Sequence, residues 1–326
     1  MIFRQNTIAF TLASLTCSSF SALAQTSQIS PTRPIRVLVT YAPGASTDIN
    51  ARAMAAKMGE NMKQQFIVDN RPGASGMLAT SLLAKSTPDG HTLMVVDSAH
   101  GANPAIYDNM PYDTLKDIDS IGMIARLPMV LLVTPSLPVK SVKDLVAYAK
   151  ANPGKLNYGS AGTGSAMFLV AELFKSAANI EVMQIAYKGG GPAMVDLAGG
   201  QIPMLFISVL AGMPLAQSGR ARALGVSSAA RVPSYPELPT IAESGVPGVD
   251  FYLWQAMLAP AGVPRATVAQ LNGELNKALA NAEVKERMIQ QGNELMGGTP
   301  QQATAFISGE IARWRKIIKP EMRISR

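Results

Sequence analysis

Residues 154–168 read GKLNYGSAGTGSAMF, a short strand-like run that enters a loop of small residues, from which a helix spanning roughly Ser165 to Ala178 departs. Glycine lets such a loop turn tightly and lets a ligand approach its backbone, while Ser160, Thr163 and Ser165 add hydroxyl groups. The helix aims its unpaired N–H groups and the positive end of its dipole back at the loop, a setting that suits an anion. Alone, the stretch fits an ordinary glycine-rich strand-to-helix turn equally well. Two nucleotide readings fail at once. A phosphate loop requires Lys after its last Gly, where this chain has Ser165, and the third position of a dinucleotide fingerprint is Met167. A small anion without a polyphosphate is the better fit, and Gly162 and Gly164 are placed with the three hydroxyl residues as candidate ligand contacts.

The same order of strand, small-residue loop and helix occurs upstream. Ile35 to Tyr41 reads as a buried strand ending in Ala42-Pro-Gly-Ala-Ser-Thr-Asp48, and Ile49, Ala53 and Ala56 form one face of the helix that follows. Thr47 or Asp48 is the expected N-cap, and Ala45, Ser46, Thr47 and Asp48 offer amides or side chains to a ligand. A second strand, Phe66 to Asp69, precedes a helix of Met77 to Lys85; a third, His91 to Val96, ends at Asp97-Ser98-Ala99. Three alternations predict a parallel α/β sheet with its ligand outside the carboxyl ends of the strands, where Tyr41 and Ser98 lie.

The apolar run Ile118 to Thr134, interrupted by Pro128, reads as a bent strand leaving one domain for another. A second α/β unit then carries the loop at 154–168, the segment Tyr187-Lys-Gly-Gly-Gly-Pro192, and a strand over 204–207 that ends at Ser208. Phe251 to Leu258 returns to the first unit, and the remainder is expected to be helical. Its stripes Val268, Leu271, Leu275, Leu279 and Ile307, Ile311, Trp314, Ile318 are expected to cover the first domain. The fold class is α/β, two hinged doubly wound α/β domains, with domain 1 formed by 25–126 and 254–326 and domain 2 by 127–253. Such an architecture closes around small ligands.

Residues 1–24 carry one charge (Arg4), an apolar stretch from Ile8 to Leu15 and a small-residue end at Ala22-Leu-Ala24, the pattern of a cleaved signal peptide. The mature chain is then expected in the periplasm. Cys17 is the only cysteine and leaves with the leader, which removes disulfides, thiolate nucleophiles and cysteine metal sites from consideration. A net charge of +7 arises from scattered Lys and Arg, without the basic stripe of a nucleic-acid binder. For catalysis the inventory is thin. His91 and His100 are the only histidines, neither sits in a metal-spaced cluster, and no Gly-x-Ser-x-Gly elbow occurs. A non-enzymatic binding protein without cofactor or metal is expected. Arg71, Arg126 and Lys188 could add positive charge but read equally as capping or solvated groups and stay outside the candidate site.

Several segments in order also resemble one family. They are Tyr41 to Asp48, Asp69-Asn-Arg-Pro-Gly-Ala-Ser-Gly76, Pro88-Asp-Gly90, Asn152 to Ser160, Ala186-Tyr-Lys-Gly189, Asp196-Leu-Ala-Gly-Gly-Gln201, Leu238 to Gly245 and Ala259-Pro-Ala-Gly-Val-Pro264. Together they resemble the substrate-binding receptors of tripartite tricarboxylate transporters, the Bug receptors. The resemblance implies a type II periplasmic-binding-protein fold and a ligand carboxylate held by amides, hydroxyls and waters from the first-strand loop and the loop at 160–165. It also implies a monomeric receptor serving a two-protein membrane permease, with reporting to a membrane signalling kinase as the alternative. Departures from the family pattern are Ala45 and Ser75 where Gly is usual, Phe168 where His is frequent, and Ser208-Val-Leu210 where Asp or Asn is common. The last makes that wall less polar and favours an apolar or aromatic carboxylate, with Tyr41 against its ring.

Overall fold

The computed structural model describes residues 33–318 together with 320, 323 and 324, so the expected leader and Cys17 lie outside the described residues. Strands β1 (Ile35–Val39), β2 (Phe66–Asn70) and β3 (Thr92–Asp97) pair in parallel with β1 in the middle. Alternate residues of β1 point to opposite faces, and both faces are covered. Ile35, Val37 and Val39 pack with Met54 and Met58 of α1 (Ser46–Met62) and Leu271 and Leu275 of α8 (Arg265–Ala280). Leu38 turns the other way, toward Leu83 of α2 (Met77–Ala84) and Ile307 and Ile311 of α10 (Pro300–Ile317). This sheet and its helices form the first lobe.

The sheet is mixed, where strand and helix alternation predicts parallel pairing throughout. β3 pairs antiparallel with β9 (Tyr252–Pro260), and β9 antiparallel with β4 (Ile118–Val133). These two strands are the crossings between lobes, and a chain that leaves and returns through one sheet must run both ways. β4 changes partners along its length. Ile118 to Pro128 pairs with β9; Met129 to Val133 pairs with β7 (Met204–Ser208) and β8 (Arg222–Val226). Pro128, which has no amide to donate, occupies the point of change.

Beyond it, β7, β5 (Asn157–Ser160) and β6 (Met183–Ala186) continue in parallel, with α4 (Val142–Ala151), α5 (Ala166–Ala178), α6 (Gly190–Ala198) and α7 (Val209–Gln217) around them as the second lobe. Each strand end feeds a helix: β5 leads to α5, β6 to α6 and β7 directly to α7.

The structure departs from expectation at four further points. The tail is not all helical: after α9 (Ala282–Gln290), the four residues of β10 (Glu294–Gly297) pair antiparallel with β4, a span too short for a period to register. A helix α3 (Ala99–Ile106) follows Asp97-Ser98, and it tolerates Pro104 in its interior. Helix α1 starts earlier than expected, with Ala45 as N-cap and no side-chain cap, so Thr47 and Asp48 fall in its first turn. The second stripe also divides. Ile307 and Ile311 belong to the first lobe, whereas Trp314 and Ile318 join the core of the second, Trp314 meeting Phe251 edge-on with ring centroids 6.0 Å apart.

Candidate ligand site

Between the lobes lies a cavity of about 50 Å³, space for roughly three to five waters at the ~10–15 Å³ each needs. The first lobe lines it with Tyr41, Gly44, Ala45, Ser46, Thr47 and Asp97, and the crossing strands with Met129 and Leu253. The second contributes Ala161, Ser165, Ala166 and Met167, then Gly190, Gly191 and Met194, then Ile207, Ser208 and Ala211. These residues are the first turns of four helices, α1, α5, α6 and α7, converging from both lobes.

A helix leaves its first N–H groups without internal partners and carries roughly half a positive charge at that end. At α5 and α7 the N-cap hydroxyls already engage an amide, Ser165 accepting from Phe168 and Ser208 from Ala211. At α1 and α6 no side chain caps the helix, so these ends keep amides available. No Lys, Arg or His lines the cavity, and the walls between the helix ends are Met129, Met167, Met194, Ile207 and Leu253. The arrangement can hold a small anionic group on backbone dipoles and enclose an apolar body. The three cations set aside from the sequence are also off the wall; Arg71 pairs with Asp69 and Arg126 with Glu294.

Six of the twelve residues proposed from sequence line this cavity: Tyr41, Ala45, Ser46, Thr47, Ser165 and Ser208. The other six stand behind it. Asp48 accepts from the Gly44 amide at 2.9 Å and the Asn70 side chain at 2.9 Å, and pairs with Arg52. Burial pushes its carboxyl up, but these hydrogen bonds and Arg52 outweigh it and hold it below the usual carboxylate range. Ser98 Oγ accepts from the Trp254 amide, tying β9 to β3. Ser160 Oγ accepts from the Gly162 amide and from Gln184 Nε2 at 2.7 Å, which rigidifies the loop. Gly162 takes φ +99° in that turn. Thr163 and Gly164 face the other lobe: the Thr163 carbonyl accepts from Ser75 Oγ at 2.6 Å and from the Tyr107 hydroxyl at 3.0 Å, and Gly164 lies against α3.

Asp97, Gly190 and Gly191 were not among the residues picked from sequence. The glycine run before α6 was a legible sign of a further helix end. Asp97 could have been found by parity, because in β3 it shares the face of Val95 and Leu93 and thus that of Tyr41, whereas Ser98 falls on the other face.

Asp97 is buried, and its Oδ1 accepts from the Ala99 amide at 3.0 Å and from the Tyr41 hydroxyl at 3.4 Å. Burial pushes its carboxyl up to about 7 against the lowering effect of those two donors. Its folded pKa is thus above the unfolded value of ~4, so the folded state holds the extra proton between pH ~4 and ~7, and stability falls as pH rises through that window. Asp97→Asn, which keeps the acceptor and removes the charge, is expected to raise the stability of the ligand-free protein at pH 8 by on the order of 2–4 kcal/mol and to change little at pH 4. Thermal denaturation at the two pH values measures this difference.

Two α/β lobes joined by crossing strands, with a cavity between them ringed by helix ends, define a solute-binding protein of the periplasmic type. The chain belongs to the tripartite tricarboxylate transporter family of receptors, whose model matches residues 50–322. It is 35% identical over 291 residues to Protein BugT of Bordetella pertussis, covering 89% of each chain. Among solved structures it resembles an R. palustris protein with adipate, at 39% identity and TM-score 0.85, covering 88% of this chain and 96% of the other. It also resembles MatC from Rhodopseudomonas palustris with bound malate, at 29% identity and TM-score 0.83, covering 89% and 100%.

Proposed function

We propose that this protein is a monomeric periplasmic receptor that captures a small carboxylate with an apolar body, aliphatic or carrying one aromatic ring, and delivers it to a tripartite tricarboxylate-type membrane permease. The observation that carries this is the convergence of four helix N-termini, two without side-chain caps, on one small cavity that has apolar walls and no cationic side chain. Several charge-assisted hydrogen bonds of about 1.5–3 kcal/mol each suffice to hold a carboxylate without a salt bridge. The molecules in two related structures, adipate and malate, are both carboxylates. The moving units are 25–126 with 254–326 and 127–253, flexing where β4 changes sheets. Met129 and Leu253, beside that change, form the back of the site.

Binding without turnover is the better reading. Among the described residues no histidine lines the cavity, the Ser165 and Ser208 hydroxyls are spent as helix caps, and Ser165 Oγ also donates to the Gly162 carbonyl at 2.7 Å. A thermal-shift screen at pH 6.0 over aliphatic, aromatic and amino-acid carboxylates, followed by calorimetry, tests this. A ligand at 100 times its Kd is expected to stabilise the protein by about 2.7 kcal/mol, or roughly 4 °C for a chain of this size. A folded protein that no carboxylate stabilises would sink the proposal.

A further inference from the structure

We propose that Asp97 meets the ligand carboxylate in its acid form and donates a hydrogen bond to it, so that capture takes up a proton. This rests on the reading of the cavity as a carboxylate site. Asp97 is only 4% exposed, lines the cavity, and receives both of its hydrogen bonds on Oδ1. No described residue donates to Oδ2. Because two donors occupy Oδ1, a proton on the carboxyl sits on Oδ2, which becomes the donor. An anion entering this cavity, which has no cationic side chain, therefore meets a carboxyl group that no side-chain charge neutralises. Two carboxylates in such a space cannot both stay ionised; they share one proton. The one bond formed is the O–H bond at Oδ2, and its proton comes from the solvent buffer.

No side chain around Asp97 supplies a compensating positive charge. From the loop after β1, Tyr41 donates to it and remains a phenol, its own pKa raised by burial and by Asp97. From β9, Gln255 stands directly opposite and is neutral. On α1, Asn50 is neutral and Asp48 is engaged by Arg52 and Asn70. On α3, burial pushes His100 down to about 4, so it is uncharged, and its ring stacks on Tyr112; Tyr107 on the same helix bonds across to Thr163. The second lobe brings no charged side chain to the cavity.

The sign of the pH dependence follows. Asp97 alone titrates near 7 and is pushed higher still by a bound anion, so affinity is full below pH 7 and is lost as pH rises above it. Calorimetry on the mature receptor with adipate over pH 6.0–9.0 is the test, since ordinary carboxyls titrate near ~4, outside the window. Where adipate gives no heat, the carboxylate with the largest thermal shift replaces it. Affinity is expected to fall up to about tenfold per pH unit above 7, reaching roughly 100-fold at pH 9. Heats in phosphate and in Tris at pH 7.5 are expected to report uptake of about 0.5–1 proton per ligand. Asp97→Asn is expected to lose both the slope and the uptake. Affinity that is flat or rises with pH, or a slope that survives in Asp97→Asn, overturns this inference alone. Failure of every carboxylate at pH 6.0 overturns the carboxylate reading and this inference with it.

Discussion

A Gly164→Val receptor is expected to bind its ligand about 5- to 150-fold more weakly than the parent while remaining folded. A Cβ at Gly164 would lie 3.0 Å from Asn103 Oδ1 and 3.2 Å from Ile106 Cδ1, both on α3 of the opposite lobe. The valine therefore acts as a wedge in the closed form only, and overpacking of that kind costs about 1–3 kcal/mol. Gly164 also takes φ +87°, a backbone region in which a β-branched residue is strained by a further ~1–3 kcal/mol. Relief of that strain displaces Ser165, which lines the cavity and caps α5. The two effects separate with a control. Gly154 has φ +71° with nothing within 4 Å of its Cβ position, so Gly154→Val carries comparable strain without the wedge. It is expected to lose a few degrees of Tm and retain affinity. Equal affinity in the two variants, measured by calorimetry, would place the contact between lobes outside the binding cycle.

The fold was largely legible because its signals are local. Runs such as Ile35 to Tyr41 and Phe66 to Asp69, each followed by small residues and a helix, announce the α/β repeat, and Pro128 within a long apolar run marks the crossing. What was missed depends on distance. The direction of β9 follows from its being a return path, and β10 is recognised only by its pairing with β4, Glu294 opposite Arg126. Of the hydroxyls that follow strands in the sequence, Ser46, Thr47, Ser165 and Ser208 line the cavity. Sequence order alone does not reveal that Ser160 is already spent on Gln184, 24 residues away, or that Thr163 faces the other lobe. Asp97 was passed over for the neighbouring hydroxyl, although strand parity favoured the carboxyl.

Ser75 and Tyr107 act together across the gap between the lobes, and removing both groups, as Ser75→Gly with Tyr107→Phe, is expected to weaken binding by about 5- to 150-fold. The Thr163 carbonyl accepts a hydrogen bond from each across the gap between lobes, at 2.6 and 3.0 Å. A net worth of about 0.5–1.5 kcal/mol per bond gives roughly 1–3 kcal/mol favouring closure, and ligand affinity scales with the closed population. Ser75 also sits at φ +50° beside Ala74 at φ +46°, a left-handed pair that costs on the order of 1 kcal/mol or more per residue. That strain exists whether the lobes are together or apart, so it opposes folding but not closure. Glycine at 75 relieves it, and the backbone bond from Asn103 Nδ2 to the residue-75 carbonyl, 3.0 Å, is retained. Ser75→Gly alone is therefore expected to raise the Tm of the ligand-free protein while lowering affinity. The opposed signs identify a latch. If denaturation and calorimetry instead found stability and affinity falling in step, the two side chains would only be holding the loop at 73–76 in shape.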